Sequence, residues 1–146
     1  MTRLKIIIGL AVAAVLASTT LGGGPAFAAP DMEYNVAGSD STALCAEIVG
    51  QVNVAAACVS FLPDGDYFYV RDTLSDGRSG AVDWENYNSA GSLVRQGVCA
   101  QTAGVTKAGY CNKNFTEGTQ IRYRACAMEW STKDLFQCGG WYWRAV

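Results

Sequence analysis

The sequence predicts a mainly β fold: a small, disulfide-stapled antiparallel β-sandwich or open barrel with a flexible N-terminal arm. Three observations lead there. Six cysteines, Cys45, Cys58, Cys99, Cys111, Cys126 and Cys138, form an even set in a chain of one-domain length, the pattern of a disulfide framework. About six to eight short runs rich in β-branched and aromatic residues alternate with turn signals, the rhythm of a sandwich or barrel. Among these runs, 81–85 alternates in polarity, as half-buried strands do, and 119–130 is the longest.

The amino terminus reads as an export signal. Arg3 and Lys5 precede an apolar run from Ile6 to Leu21, Gly22 to Pro25 break it, and Ala26-Phe27-Ala28 supplies a small-residue cleavage site. The division is therefore a signal peptide over 1–28, a flexible arm over 29–42 and a disulfide-bonded β domain over 43–146. The expected location is extracellular, with no membrane contact after cleavage. Removing Arg3 and Lys5 from the eleven basic residues, against thirteen acidic ones, leaves a formal charge of −4. That balance opposes nucleic-acid binding, which needs a basic surface.

The arm is polar, but Met32, Tyr34 and Val36 alternate and would share one face of a strand. Residues 43–50 are ambiguous, with Ser41 or Thr42 placed to cap a short helix. Strands follow over 52–61, 67–71, 81–85 and 93–101. Pro63-Asp64-Gly65-Asp66 and Ser75-Asp76-Gly77-Arg78 mark turns. Phe115 is expected to pack inward. The longest strand, 119–130, sets Ile121, Tyr123, Ala125 and Ala127 on one face and Arg122, Arg124, Cys126, Met128 and Trp130 on the other. Residues 135–138 should pair back on it, and 141–144 form a last edge strand or a tail. Spacing favours sequential disulfides, Cys45–Cys58, Cys99–Cys111 and Cys126–Cys138, each closing a short loop or hairpin.

The chain holds no histidine. That removes Ser-His-Asp and Cys-His catalysis and a histidine acid or base. With the cysteines committed to disulfides, no thiolate nucleophile, metal site or cofactor is expected. Carboxylates remain: Asp64, Asp66, Asp72, Asp76, Asp83 and Glu85 are candidates for a glycosidase-type pair, and the Asp64–Asp66 or Asp72–Asp76 loops for calcium. Each also has a plain role in a turn or on a polar strand face. The reading is non-enzymatic. Trp84, Trp130, Trp141, Trp143, Tyr67, Tyr69, Tyr87, Tyr123 and Tyr142 must divide between core and surface. Trp141 and Trp143 point the same way if extended, a patch suited to a protein partner or a sugar ring.

The segments Val70-Arg71-Asp72-Thr73 to Ala81-Val82-Asp83-Trp84, Arg95-Gln96-Gly97-Val98-Cys99, Cys111-Asn112 before Phe115, Glu117-Gly118 and Ile121-Arg122-Tyr123-Arg124-Ala125-Cys126 together resemble a group of small exported proteins of filamentous actinobacteria. The likeness spans roughly residues 58–140. Part of this group is similar to the small adaptor subunit of umbrella toxin particles, secreted antibacterial assemblies of a stalked toxin protein, lectins and a connecting protein. The resemblance implies a secreted adaptor that bridges a toxin chain and a lectin, with the arm (Met32, Tyr34, Val36) adding a strand to a partner. The rival readings are an extracellular enzyme inhibitor, presenting loops 62–66, 74–79 and 102–109, and a carbohydrate-binding module built on Trp141 and Trp143.

Overall fold

The computed structural model describes residues 28–39 and 52–146. Residues 1–27 of the signal peptide, residues 40–42 of the arm with the cap candidates Ser41 and Thr42, and the ambiguous segment 43–50 with Cys45 lie outside the described residues. Eleven strands are seen among the rest: β1 (Met32–Val36), β2 (Gly38–Ser39), β3 (Val52–Asn53), β4 (Ala57–Leu62), β5 (Tyr67–Asp72), β6 (Ser79–Tyr87), β7 (Leu93–Gln101), β8 (Ala108–Asn112), β9 (Gln120–Glu129), β10 (Asp134–Phe136) and β11 (Tyr142–Ala145). They form two sheets. Sheet A has the order β1-β7-β6-β9-β10, with β11 also paired to β9, and sheet B the order β2-β8-β5-β4-β3. The expected sandwich is therefore present as two open sheets.

Alternation in the sequence dictates the core. Val82 and Trp84 of β6, Cys99 of β7 and Ile121, Tyr123 and Ala125 of β9 point inward from sheet A. Ala57, Val59, Phe61, Phe68, Val70 and Cys111 meet them from sheet B. Aromatic rings fill the centre: Trp84 lies 5.2 Å from Phe115 and 5.9 Å from Phe68, and Phe68 lies 5.7 Å from Tyr123. Phe115 is buried as expected, and the turn at 63–66 is fastened to it, because Phe115 N–H donates to the Asp66 carboxylate at 2.7 Å.

Three expectations need correction. The run 52–61 is not one strand but a hairpin, β3 to β4, reversed around residues 54–57. Cys99–Cys111 is formed as expected but closes a loop and not a hairpin: β7 and β8 lie in different sheets, and the bond crosses the sandwich. The outer face of β6 is not solvated, since Ala81 is fully buried and Asp83 is 5% exposed. Ala81, Val98, Ala100 and Met128 form a second apolar cluster there, packed under Trp130 and Leu135. Cys126–Cys138 is formed as expected, and Cys58 is disulfide-bonded.

The arm is a further correction. Over 32–39 it belongs to the sandwich rather than standing free of it. β1 pairs in parallel with β7, and after the buried Ala37 the chain crosses to sheet B, where β2 pairs with β8. The receiving strands carry glycine where the arm lies closest. A Cβ on Gly97 would stand 2.5 Å from Glu33 O, and one on Gly109 would stand 2.2 Å from Gly38 O. Gly97→Ala should therefore displace β1 and cost about 1–3 kcal/mol by overpacking. Urea unfolding of the purified protein checks this; an unchanged midpoint would contradict it.

Candidate functional site

Two constellations of charged and aromatic side chains stand out. The first lies on the outer face of sheet A. The antiparallel register sets Asp83 beside Arg124 and Glu85 beside Arg122. Arg122 Nε donates to Glu85 Oε2 at 2.7 Å, and Arg124 Nε to Asp83 Oδ2 at 2.8 Å. β11 then runs along β9 and brings the tryptophans onto these pairs. The guanidinium carbons of Arg122 and Arg124 stand 4.5 and 4.3 Å from the Trp141 ring centre. Arg122 also lies 5.7 Å from Trp143 and 5.5 Å from Tyr87. Tyr87 meets Trp143 at 5.2 Å and donates its hydroxyl to Glu85.

This aromatic and arginine ledge is rigid in composition. Each guanidinium is held by a carboxylate at its edge and a ring at its face, a cation–π arrangement. Trp143 remains 51% exposed. Beyond it opens a pocket of ≈ 600 Å³ lined by Tyr87, Asn88, Ser89, Gln120, Arg122 and Trp143, among others.

The two carboxylates of the ledge shift in opposite directions. Burial pushes Asp83 above its ordinary value despite the hydrogen bond from Arg124. Burial acts the same way on Glu85, but hydrogen bonds from Arg122 and Tyr87 outweigh it and hold the group below its ordinary value. Such divergence can accompany acid–base chemistry. Here each carboxylate faces its own arginine, and Asp83 is almost closed to solvent. Two of the other carboxylate candidates act as local ties, Asp72 Oδ1 accepting from Leu74 N–H and Asp76 Oδ1 from Arg78 N–H, while Asp66 holds Phe115 N–H from a distant turn. Among the described residues no group of three or more histidines, cysteines or acids is placed to hold a metal ion.

The second constellation anchors the arm. Glu33, Asn35 and Ala37 share the other face of β1, of which Ala37 is buried and Asn35 exposed. Glu33 accepts from Arg95 Nε at 2.9 Å and from Lys113 Nζ at 3.2 Å, and Lys113 also donates to Asn35. The Lys113 side chain is 3% exposed and its ammonium sits 4.6 Å from the Trp84 ring. Burial lowers the Lys113 pKa, opposed by Glu33. Burial alone would raise Glu33, but Arg95 and Lys113 prevail and lower it. A carboxylate depressed on folding gives stability that is present above its unfolded value of 4.5 and lost as pH falls through the lower folded value. Acid should therefore release the arm. A carbon-13 titration of Glu33 should give a midpoint below 4.5, with protection of the Ala37 amide lost on the same limb; a midpoint at or above 4.5 would contradict it.

The residues singled out from sequence fall in separate places. Met32, Tyr34 and Val36 do share one face of β1, exposed by 39, 42 and 51%. Trp141 and Trp143 both lie against Arg122, with Tyr142 turned to the other side against Tyr123. Trp84 and Tyr123 are core. Arm and ledge occupy opposite edges of sheet A. Tyr87, Glu85 and Asp83 belong to the ledge, and only their alternation hinted at it. The anchoring role of Lys113 had no local signal, because its carboxylate partner lies 80 residues away. Comparison of the chain with protein-family models, curated proteins and solved structures finds no match.

Proposed function

We propose that the chain is a secreted, non-enzymatic binding protein whose contact surface is the ledge on sheet A. The observation that supports this most is Trp141 packed on two arginines that are already neutralised by Asp83 and Glu85, beside a half-exposed Trp143. Trp, Tyr and Arg dominate interaction hot spots. Rings and guanidinia fixed before contact lose little freedom on binding, which favours affinity. The resemblance to actinobacterial exported proteins suggests the setting, an adaptor joining toxin and lectin chains in an extracellular assembly. Capture of the tagged protein from culture supernatant, followed by mass spectrometry, tests this. Co-purification of a large repeat-containing chain and a lectin is expected; a solitary band would refute it.

A second reading is favoured by the pocket beside Trp143. An aromatic wall with amide and hydroxyl side chains suits a sugar ring. On that reading, retardation in gels containing cell-wall glycans should vanish in Trp143→Ala. No retardation by any glycan would exclude it.

A further inference from the structure

We infer that the free edge of β1 binds a second copy of this chain, joining two sandwiches through one continuous sheet. Among the described residues β1 ends the strand order of sheet A. Its backbone groups alternate in direction. Ala37 N–H donates to Ala100 O, so residues 33, 35 and 37 turn their peptide groups toward β7. Met32, Tyr34 and Val36 therefore turn theirs to the open edge. The same three residues carry partly exposed apolar side chains, with the Tyr34 ring 5.7 Å from the Lys133 ammonium of its own chain. An edge with unpaired peptide groups and an apolar row is a template for another strand.

The occupant follows from self-complementarity. In an antiparallel pairing centred on Tyr34, Tyr34 faces its own copy and Met32 faces Val36. All three outward residues then form the hydrogen-bonded pairs that such a ladder requires. On the inner side Glu33 falls opposite Asn35 rather than another Glu33, so no like charges oppose within the strands. The two-fold axis stands perpendicular to the sheet, which makes the contact isologous and closed. Glu33, Arg95 and Lys113 remain bonded within each copy. Both ledges then face the same side, about 34 Å apart across eight strands at ordinary strand spacing. A ligand with repeated sites could engage both, with a gain from effective concentration. One five-residue edge is a small interface, so the association is weak and concentration-dependent.

Sedimentation velocity of the secreted protein, from about 1 µM to about 1 mM, tests the inference. The wild type should shift from monomer to dimer. Tyr34→Pro removes an N–H that faces the open edge, so it should keep the fold yet weaken association at least about tenfold. Tyr34→Glu, which sets two carboxylates face to face across the pairing and leaves each near the Lys133 of its own chain, provides the same test if the proline variant does not fold. Tyr34→Cys should give a covalent dimer on mild oxidation, since directly paired residues lie about 5.5 Å apart between Cα atoms, while Val36→Cys should not. A wild type that stays monomeric throughout would overturn the inference. So would Tyr34 variants that associate normally, or equal crosslinking at positions 34 and 36. None of these outcomes depends on whether a ledge partner is found.

Discussion

Glu33→Ala should destabilise the protein by about 3–5 kcal/mol, while Lys113→Met should change stability by no more than about 1 kcal/mol. The asymmetry has a physical origin. The Lys113 ammonium sits in a side chain that is 3% exposed, beneath β1 and against Trp84. Glu33 is its charge partner, and Asn35 offers only a neutral oxygen. Deleting the carboxylate strands a buried cation and leaves Arg95 without its ion pair. Replacing the lysine with methionine removes the charge that needed compensation, fills similar volume beside the ring, and leaves Glu33 paired to Arg95. Release of the arm is the alternative relief in Glu33→Ala. Its cost then caps the loss, and the Ala37 amide becomes unprotected. Urea unfolding with hydrogen exchange resolves the two contributions. Equal losses in both variants would contradict the account.

Trp143→Ala should weaken partner binding by about 2–4 kcal/mol, roughly 30- to 1,000-fold, with little change in folding stability. Trp143 is half exposed and contacts the domain mainly through Tyr87 and Arg122. The folded state loses little when it is truncated. A partner loses a large ring held in a fixed position. Trp141→Ala should differ: two guanidinia lose the ring between them, so binding and stability should both fall. Titration calorimetry with the captured partner, alongside thermal melts, separates the two variants. Equal thermal losses would contradict the structural distinction between the two rings.

Much of this architecture was legible in the chain. β7 spans the residues its composition marked, and β9 buries Ile121, Tyr123 and Ala125 on the face its alternation grouped together, while Cys126 and Met128 of the other face are buried as well. Those features depend on period-two patterning, which is local. The crossing Cys99–Cys111 bond was legible as a pair but not as a link between sheets, because spacing does not reveal which strands share a sheet. The arm was misread because Glu33 finds Arg95 and Lys113 only 62 and 80 residues further on. A polar segment looks unable to dock until those partners are known. The ledge offered a partial signal. Asp83 with Glu85 and Arg122 with Arg124 repeat one spacing on two strands, and complementary charges at period two suit a cross-strand ladder. The placement of Trp141 over that ladder depends on how β11 returns to β9, which turn residues alone do not dictate.

The most direct test of the ledge as the contact surface is a paired capture from culture supernatant. Trp143→Ala alters sheet A, and Tyr110→Ala alters an exposed ring on the opposite sheet. The account predicts that wild type and Tyr110→Ala retain the same co-purifying chain, while Trp143→Ala loses it. Retention by Trp143→Ala with loss in Tyr110→Ala would move the contact to sheet B and contradict the account.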